Sequence, residues 1–152
     1  MQNRETDILN LWSIFLVAHR RLTSQFDAEL REGAGMSLDE YDVLYQLRRS
    51  GRAMAMSELA EQVLVSRAST TRVVDRLVER GWAHRWHDDR DRRRVFVELT
   101  LEGRERQRVA GRLHLKGIDR LVGGPLKGLD VKALAAGLSA LAVSAEPRPS
   151  GL

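Results

Sequence analysis

Arg67, Arg72, Arg76, Arg80, Arg85, Arg90, Arg92, Arg93 and Arg94 fall in one stretch, 66–94, that holds only five acids. That stretch carries +4, equal to the formal net charge of the whole 152-residue chain. Residues 1–50, with six arginines against eight acids, carry −2. The guanidinium plane bonds two acceptors at once, so it suits phosphate oxygens and the O6/N7 edge of guanine. Ser66, Ser69 and Thr71 stand among these arginines. Their hydroxyls can bond phosphates or base edges, so the chemistry on offer is recognition of a polyanion.

Other chemistries find less support. The sequence has no cysteine, which excludes a disulfide framework, a thiolate zinc site, a thiol nucleophile and a cysteine redox switch. His84, His87, Asp88 and Asp89 are near enough in sequence to raise a metal site. On a strand, however, His84 and His87 point to opposite faces, and polar hairpin residues are the simpler reading. No nucleophile–base pair, glycine-rich phosphate loop or paired carboxylates appear, so neither an enzyme nor a cofactor is expected. No stretch approaches the roughly 20 apolar residues of a membrane helix. The polar start, MQNRETDILN, does not read as a signal peptide. The expectation is a soluble cytoplasmic protein of one domain.

The elements that must position the arginines follow from periodicity. Ile8, Leu11, Trp12, Phe15, Leu22, Phe26 and Leu30 recur at steps of three and four, an amphipathic helix from about 7 to 32 that Gly33-Ala34-Gly35 ends. Ser37-Leu38-Asp39-Glu40 fits a capping box for a second helix ending near Gly51. Ser57 is expected to cap a short third helix. Ser66 is expected to cap a fourth, 67–80, that Gly81 closes. Val73, Val74, Leu77 and Thr70 should face the core, leaving Arg67, Ser69, Thr71, Arg72 and Arg76 exposed. Trp82–His87 and 94–100 alternate as strands around a charged tip, DDRDRR. Met54 and Met56 are core residues or a short third strand. Helical pattern returns over 101–121, breaks at Gly123-Gly124-Pro125 and resumes over about 130–143.

Two short helices joined by a tight turn, then a basic hairpin, make a winged helix. The second short helix enters the major groove, about 12 Å wide, with its first turn at the base edges. Ser69, Thr71 and Arg72 are the candidates for direct readout, and Ser66 and Arg67 for backbone positioning. Arg90, Arg92 or Arg93 at the tip can enter a narrow minor groove. Asp88, Asp89 and Asp91 would repel phosphate if free, and are read as internal arginine partners that stiffen the tip. Arg76 and Arg80 could contact phosphate, or pair instead with Asp75, Glu79 or the wing acids. The bland reading of the Arg-rich wing is a solvated charged loop.

The run from Ser57 to Gly103 resembles the MarR family of transcriptional regulators. The family pattern S-x-L-A falls on Ser57-Glu58-Leu59-Ala60, and T-x-x-V-D-x-L-x-x-x-G on Thr71 to Gly81. The wing pattern D-x-R falls on Asp91-Arg92-Arg93, and L-T-x-x-G on Leu99-Thr100 with Gly103. The resemblance implies a mainly α fold: a winged helix-turn-helix lobe, 37–100, with a small β-hairpin wing, flanked by dimerisation helices, 5–35 and 101–143. The tail, 144–152, is read as disordered. It implies a homodimer that represses from a palindromic site on double-stranded DNA, with Asp91 stabilising the wing. A small aromatic or anionic effector between the dimer helices and the DNA-binding lobe would release the DNA. Trp12, Phe15, His19 and Tyr41 are candidates to line that pocket, or simply core and dimer interface. The rival class is a winged helix that binds protein in place of DNA, which would show weak or salt-insensitive duplex binding.

Overall fold

The computed structural model describes residues 2–145. Its elements run α1 (Gln2–Ala34), α2 (Leu38–Ser50), β1 (Met54–Ala55), α3 (Met56–Gln62) and α4 (Arg67–Glu79). They continue as β2 (Ala83–His87), β3 (Val95–Leu99), α5 (Leu101–Ile118), a π-helical turn (Asp119–Gly123) and α6 (Val131–Ser144). The chain divides into two compact units at Gly117/Ile118. Among the described residues no helix is long and apolar enough to cross a membrane.

In the first unit the local signals act as their chemistry requires. The Ser37 hydroxyl accepts from the Glu40 N–H, and the Glu40 carboxylate accepts from the Ser37 N–H, a closed capping box. Gly81 takes φ +72, which an L side chain disfavours, and donates its N–H to Val78 O as α4 ends. The core is built from Leu30 of α1, Val43, Leu44 and Leu47 of α2, Leu59 of α3, and Val73, Val74 and Leu77 of α4. Met54, Trp82, Val97 and Leu99 complete it from the strands. Each such side chain contributes about 1.5–3 kcal/mol on burial. Thr70 is buried among them because its hydroxyl donates to Ser66 O at 2.9 Å, leaving no unmet polar group.

The sheet order is β1-β3-β2, all antiparallel. Met54 pairs with Val97 and is fully buried, so it serves as both core and third strand. That strand corrects one cap. Ala55, in extended conformation, is the N-cap of α3, with no side-chain bond, and Ser57 lies inside the helix. The backbone enters α3 directly from the paired strand, and Arg52 ties the entry by binding Glu58.

The turn into α5 explains the Leu-Thr-x-x-Gly spacing. The Thr100 hydroxyl donates to Gly81 O at 2.7 Å and accepts from the Gly103 N–H at 3.0 Å. A Cβ on Gly103 would fall 1.9 Å from the Trp82 carbonyl oxygen. In the second unit α5 gives way to a π turn in which Gly124 N–H reaches Asp119 O, shorter than the helix expected to 121. Asp130 caps α6 by accepting from the Ala133 N–H. Leu134, Leu138 and Leu141 are exposed along α6. Ser144 is helical, and the rest of the expected tail, 146–152, lies outside the described residues.

His114 of α5, which the sequence leaves without a partner, packs against Phe26 and Tyr41 with both ring centroids at 4.8 Å. Among the described residues its buried Nδ1 has no hydrogen-bond partner. Burial pushes its pKa down, and the charge of Glu29 opposes that. The neutral ring is the form the fold accepts.

Two outcomes are expected. Gly103→Ala should cost about 3 kcal/mol, read as a lower urea midpoint at unchanged slope, because the neighbouring atom is backbone and cannot give way. Wild-type stability should fall as pH drops below about 6.5, because the unfolded His114 takes up its proton first. The loss should level off below the depressed folded pKa. The carboxylates with lowered pKa values, Asp27, Glu58, Asp91 and Glu105, titrate below this window. Urea titrations of wild type and His114→Phe across about pH 7.5–5.5 check it, the variant losing the slope.

Candidate nucleic-acid interface

The fourth helix buries one side and bares the other. Thr70, Val73, Val74 and Leu77 are buried, while Arg67, Thr71 and Arg72 are exposed. Among the described residues the side chains of Arg67 and Arg72 make no hydrogen bond or ion pair within the chain, so two guanidinium groups stand free at the start of the helix. Ser66 fixes that start. Its hydroxyl accepts from the Ser69 N–H at 3.2 Å and donates to the Ser69 hydroxyl at 3.0 Å. Ser69 is therefore half-buried in the cap, not exposed beside Thr71 as expected.

The wing tip is held by its own acids. Asp88 Oδ1 accepts from the N–H of Arg90 at 2.8 Å and of Asp91 at 3.3 Å. Asp91 Oδ1 accepts from both the N–H and the Nε of Arg93 at 3.1 Å. The Arg93 side chain, then its backbone N–H, hold the Asp91 carboxyl below the usual carboxylate range. The expected acid–arginine pairing is present for Asp91 with Arg93, whereas Asp88 serves mainly the backbone. Its ion pair with Arg94 is long, at 4.0 Å. Despite its partner, Arg93 is 92% exposed, so its outer nitrogens face solvent. Arg90 and Arg92 are exposed as well.

One contact that sequence reasoning missed joins the two parts. Arg85 of β2 pairs with Asp75 of α4, docking the wing on the helix. Between them opens a cleft of about 420 Å³ lined by Ser57, Thr71, Arg85, His87 and Arg93 among others. A basic wing and a bare helix turn thus face one concave surface. Ten residues separate Arg85 from Asp75 across a helix end, and no local period reveals that pairing.

Arg76 and Arg80 are turned elsewhere. Both pair with Glu40 of α2, at 3.2 and 3.3 Å, and with none of Asp75, Glu79 or the wing acids. Arg76 is exposed as expected, but its guanidinium is held by Glu40, which is buried and needs a cation beside it.

Residues 36–95 match the family model described as MarR family. The regulator PecS of Dickeya dadantii is 36% identical over 70 residues, 45% of this chain and 42% of its own length. The repressor MprA of Escherichia coli is 43% identical over 49 residues, 32% of this chain and 28% of its own. These matches span less than half of either relative. Among solved structures, Sco3205 of Streptomyces coelicolor, a MarR family transcriptional regulator in complex with DNA, superposes with a TM-score of 0.84. It is 28% identical, over 91% of both chains. The matched residues, 36–95, take in α2 to β2 and the first residue of β3, most of the winged helix described above. The relatives are named as transcriptional regulators and repressors, not as enzymes.

Within this MarR-type frame, the four candidate pocket residues do not come together. Trp12, Phe15 and His19 stack along the outside of α1, with Trp12 53% exposed. Tyr41 sits with Tyr45 and His114. A common helical spacing aligned the first three, and α1 carries them beyond the core that begins at Phe26. Among the described residues, no three histidine, aspartate or glutamate side chains converge as a metal site would need.

The Ser66 cap makes the start of α4 sensitive to one oxygen. Ser66→Ala should lower stability by about 1 kcal/mol, read from the urea midpoint, and Ser66→Asp should restore most of it.

Proposed function

We propose that this protein is a sequence-specific DNA-binding transcriptional regulator. It works as a homodimeric repressor on a palindromic operator in the cytoplasm. The observation that carries the reading is the pair of unpartnered arginines, Arg67 and Arg72, beside Thr71. Thr71 lines one cleft with Arg93 of a wing where Asp88 and Asp91 are engaged and Asp89 is exposed without a partner among the described residues. Arg72 and Thr71 read base edges, Arg67 and the Ser66 turn position the backbone, and Arg90, Arg92 and Arg93 reach the minor groove. Ser69 contributes through the cap.

The dimer is supported by apolar surface with no cover: Ile8, Leu11, Trp12 and Phe15 on α1, and Leu134, Leu138 and Leu141 on α6. Two-fold symmetry then asks for half-sites about 10 bp apart. A small aromatic anion as releasing effector is supported by a groove of about 470 Å³ between α2 and α5. Tyr45, Arg48, Arg49, Arg108 and Arg112 line it. Its guanidinium groups suit a carboxylate and its tyrosine an aromatic ring.

Selection from a random duplex library, with binding repeated at two salt concentrations, tests the reading. An enriched palindrome and a steep salt dependence are expected. No enriched sequence, or binding indifferent to salt, would sink it and favour a protein partner. At the selected operator Arg72→Ala should cost about 1–3 kcal/mol and much less on unrelated duplex. Equal losses on both would mean that Arg72 only holds phosphate.

A further inference from the structure

Arg72 and Arg76 on α4 and Arg80 at its C-cap stand four residues apart, so they lie one above the next on the same side of the helix. Alike in sequence, they are held in two different ways. Arg72 has no partner among the described residues. Arg76 Nε donates to Glu40 Oε1 at 3.2 Å, and Arg80 Nη1 to Glu40 Oε2 at 3.3 Å. Arg80 also donates from Nη2 to Gly35 O at 2.6 Å, and its guanidinium carbon lies 3.7 Å from the centre of the Trp82 ring. The Glu40 side chain is only 7% exposed, and its Oε2 already accepts the Ser37 N–H that closes α2. If either arginine moved to a phosphate, this buried carboxylate would lose part of its compensation.

We propose that Glu40 is a positioning residue that sets DNA specificity by withholding Arg76 and Arg80 from the DNA backbone. This rests on the DNA-binding reading above. Sequence-independent attraction grows with each phosphate a protein neutralises, whereas discrimination comes from base edges. Binding Arg76 of α4 and the C-cap Arg80 to α2 leaves discrimination to Thr71 and Arg72 and fixes how α4 is presented. The sign is opposite to that of a basic residue in contact with DNA: removing the anchor strengthens unspecific binding.

The test measures binding to the selected operator and to a random-sequence duplex between about 50 and 200 mM salt, for wild type and three variants. Arg76→Ala should leave the salt slope on random duplex unchanged. Glu40→Gln keeps the side-chain size and an oxygen for the Ser37 N–H. It should raise random-duplex affinity severalfold, steepen the slope by about 1–2, and lower the operator-to-random ratio. The double variant Glu40→Gln/Arg76→Ala should return about one unit of that slope. A slope that falls by about 0.9 in Arg76→Ala, or a Glu40→Gln protein with wild-type slope and ratio, would overturn the proposal. If Glu40→Gln does not fold, the Arg76→Ala slope decides alone. Wild-type protein without salt-dependent duplex binding would instead fail the DNA-binding reading on which the proposal stands.

Discussion

Among the described residues Glu40 is the only buried carboxylate, and two helices converge on it. A charge out of water must be compensated, and three donors do so here: the N–H of Ser37 and the guanidinium groups of Arg76 and Arg80. The first satisfies one of the orphan donors at the start of α2. The other two hold the C-terminal end of α4 against the corner where α1 meets α2. With Val73, Val74 and Leu77 packed in the core, the helix has no freedom to roll, and its bare turn has one orientation. The direction in which Thr71 and Arg72 point is therefore tied to ion pairs made one and two turns further along the helix.

The wing depends on a second, weaker set of constraints. Arg85 and Asp75 are both partly exposed, and such a pair contributes about 0–1 kcal/mol. It directs the hairpin without clamping it. The base of the hairpin is firmer. Thr100 joins the end of α4 to the start of α5, and Gly103 lets the helix backbone meet Trp82 at a distance no side chain allows. In the proposed DNA-binding reading, a rigid root with a lightly tethered hairpin would let the arginines adjust to a groove whose width varies with sequence.

The elements were legible because their signals are local. Ser37 with Glu40, Ser66, Gly81 and the alternation of Val95, Val97 and Leu99 each act within a few residues, and each works as its spacing says. Ser57 misled because a strand pair forty residues away brings Ala55 to the cap position. The arginines show the same limit more sharply. Spacing places Arg76 on the side of the helix that carries Arg72, yet its partner lies 36 residues back, in a capping box that already explained Glu40. A residue with one evident role conceals a second. Ser69 is the converse, a hydroxyl that seems free until the cap claims it. For Trp12, Phe15 and His19, helical spacing found the stripe correctly, but no single chain says what lies against it.

That stripe has a consequence for how the protein persists. From Ile8 to Val17 nearly every large apolar residue of α1 is exposed, and an uncovered helix of that length is marginal in water. Its order is then set by mass action, by whatever covers it, and not by the chain alone. With nothing covering it, this end would fray and offer a protease a point of attack. The second copy proposed above would protect it at higher abundance. The amount of protein that survives would then respond more than proportionally to the amount made, a threshold written into one bare helix face.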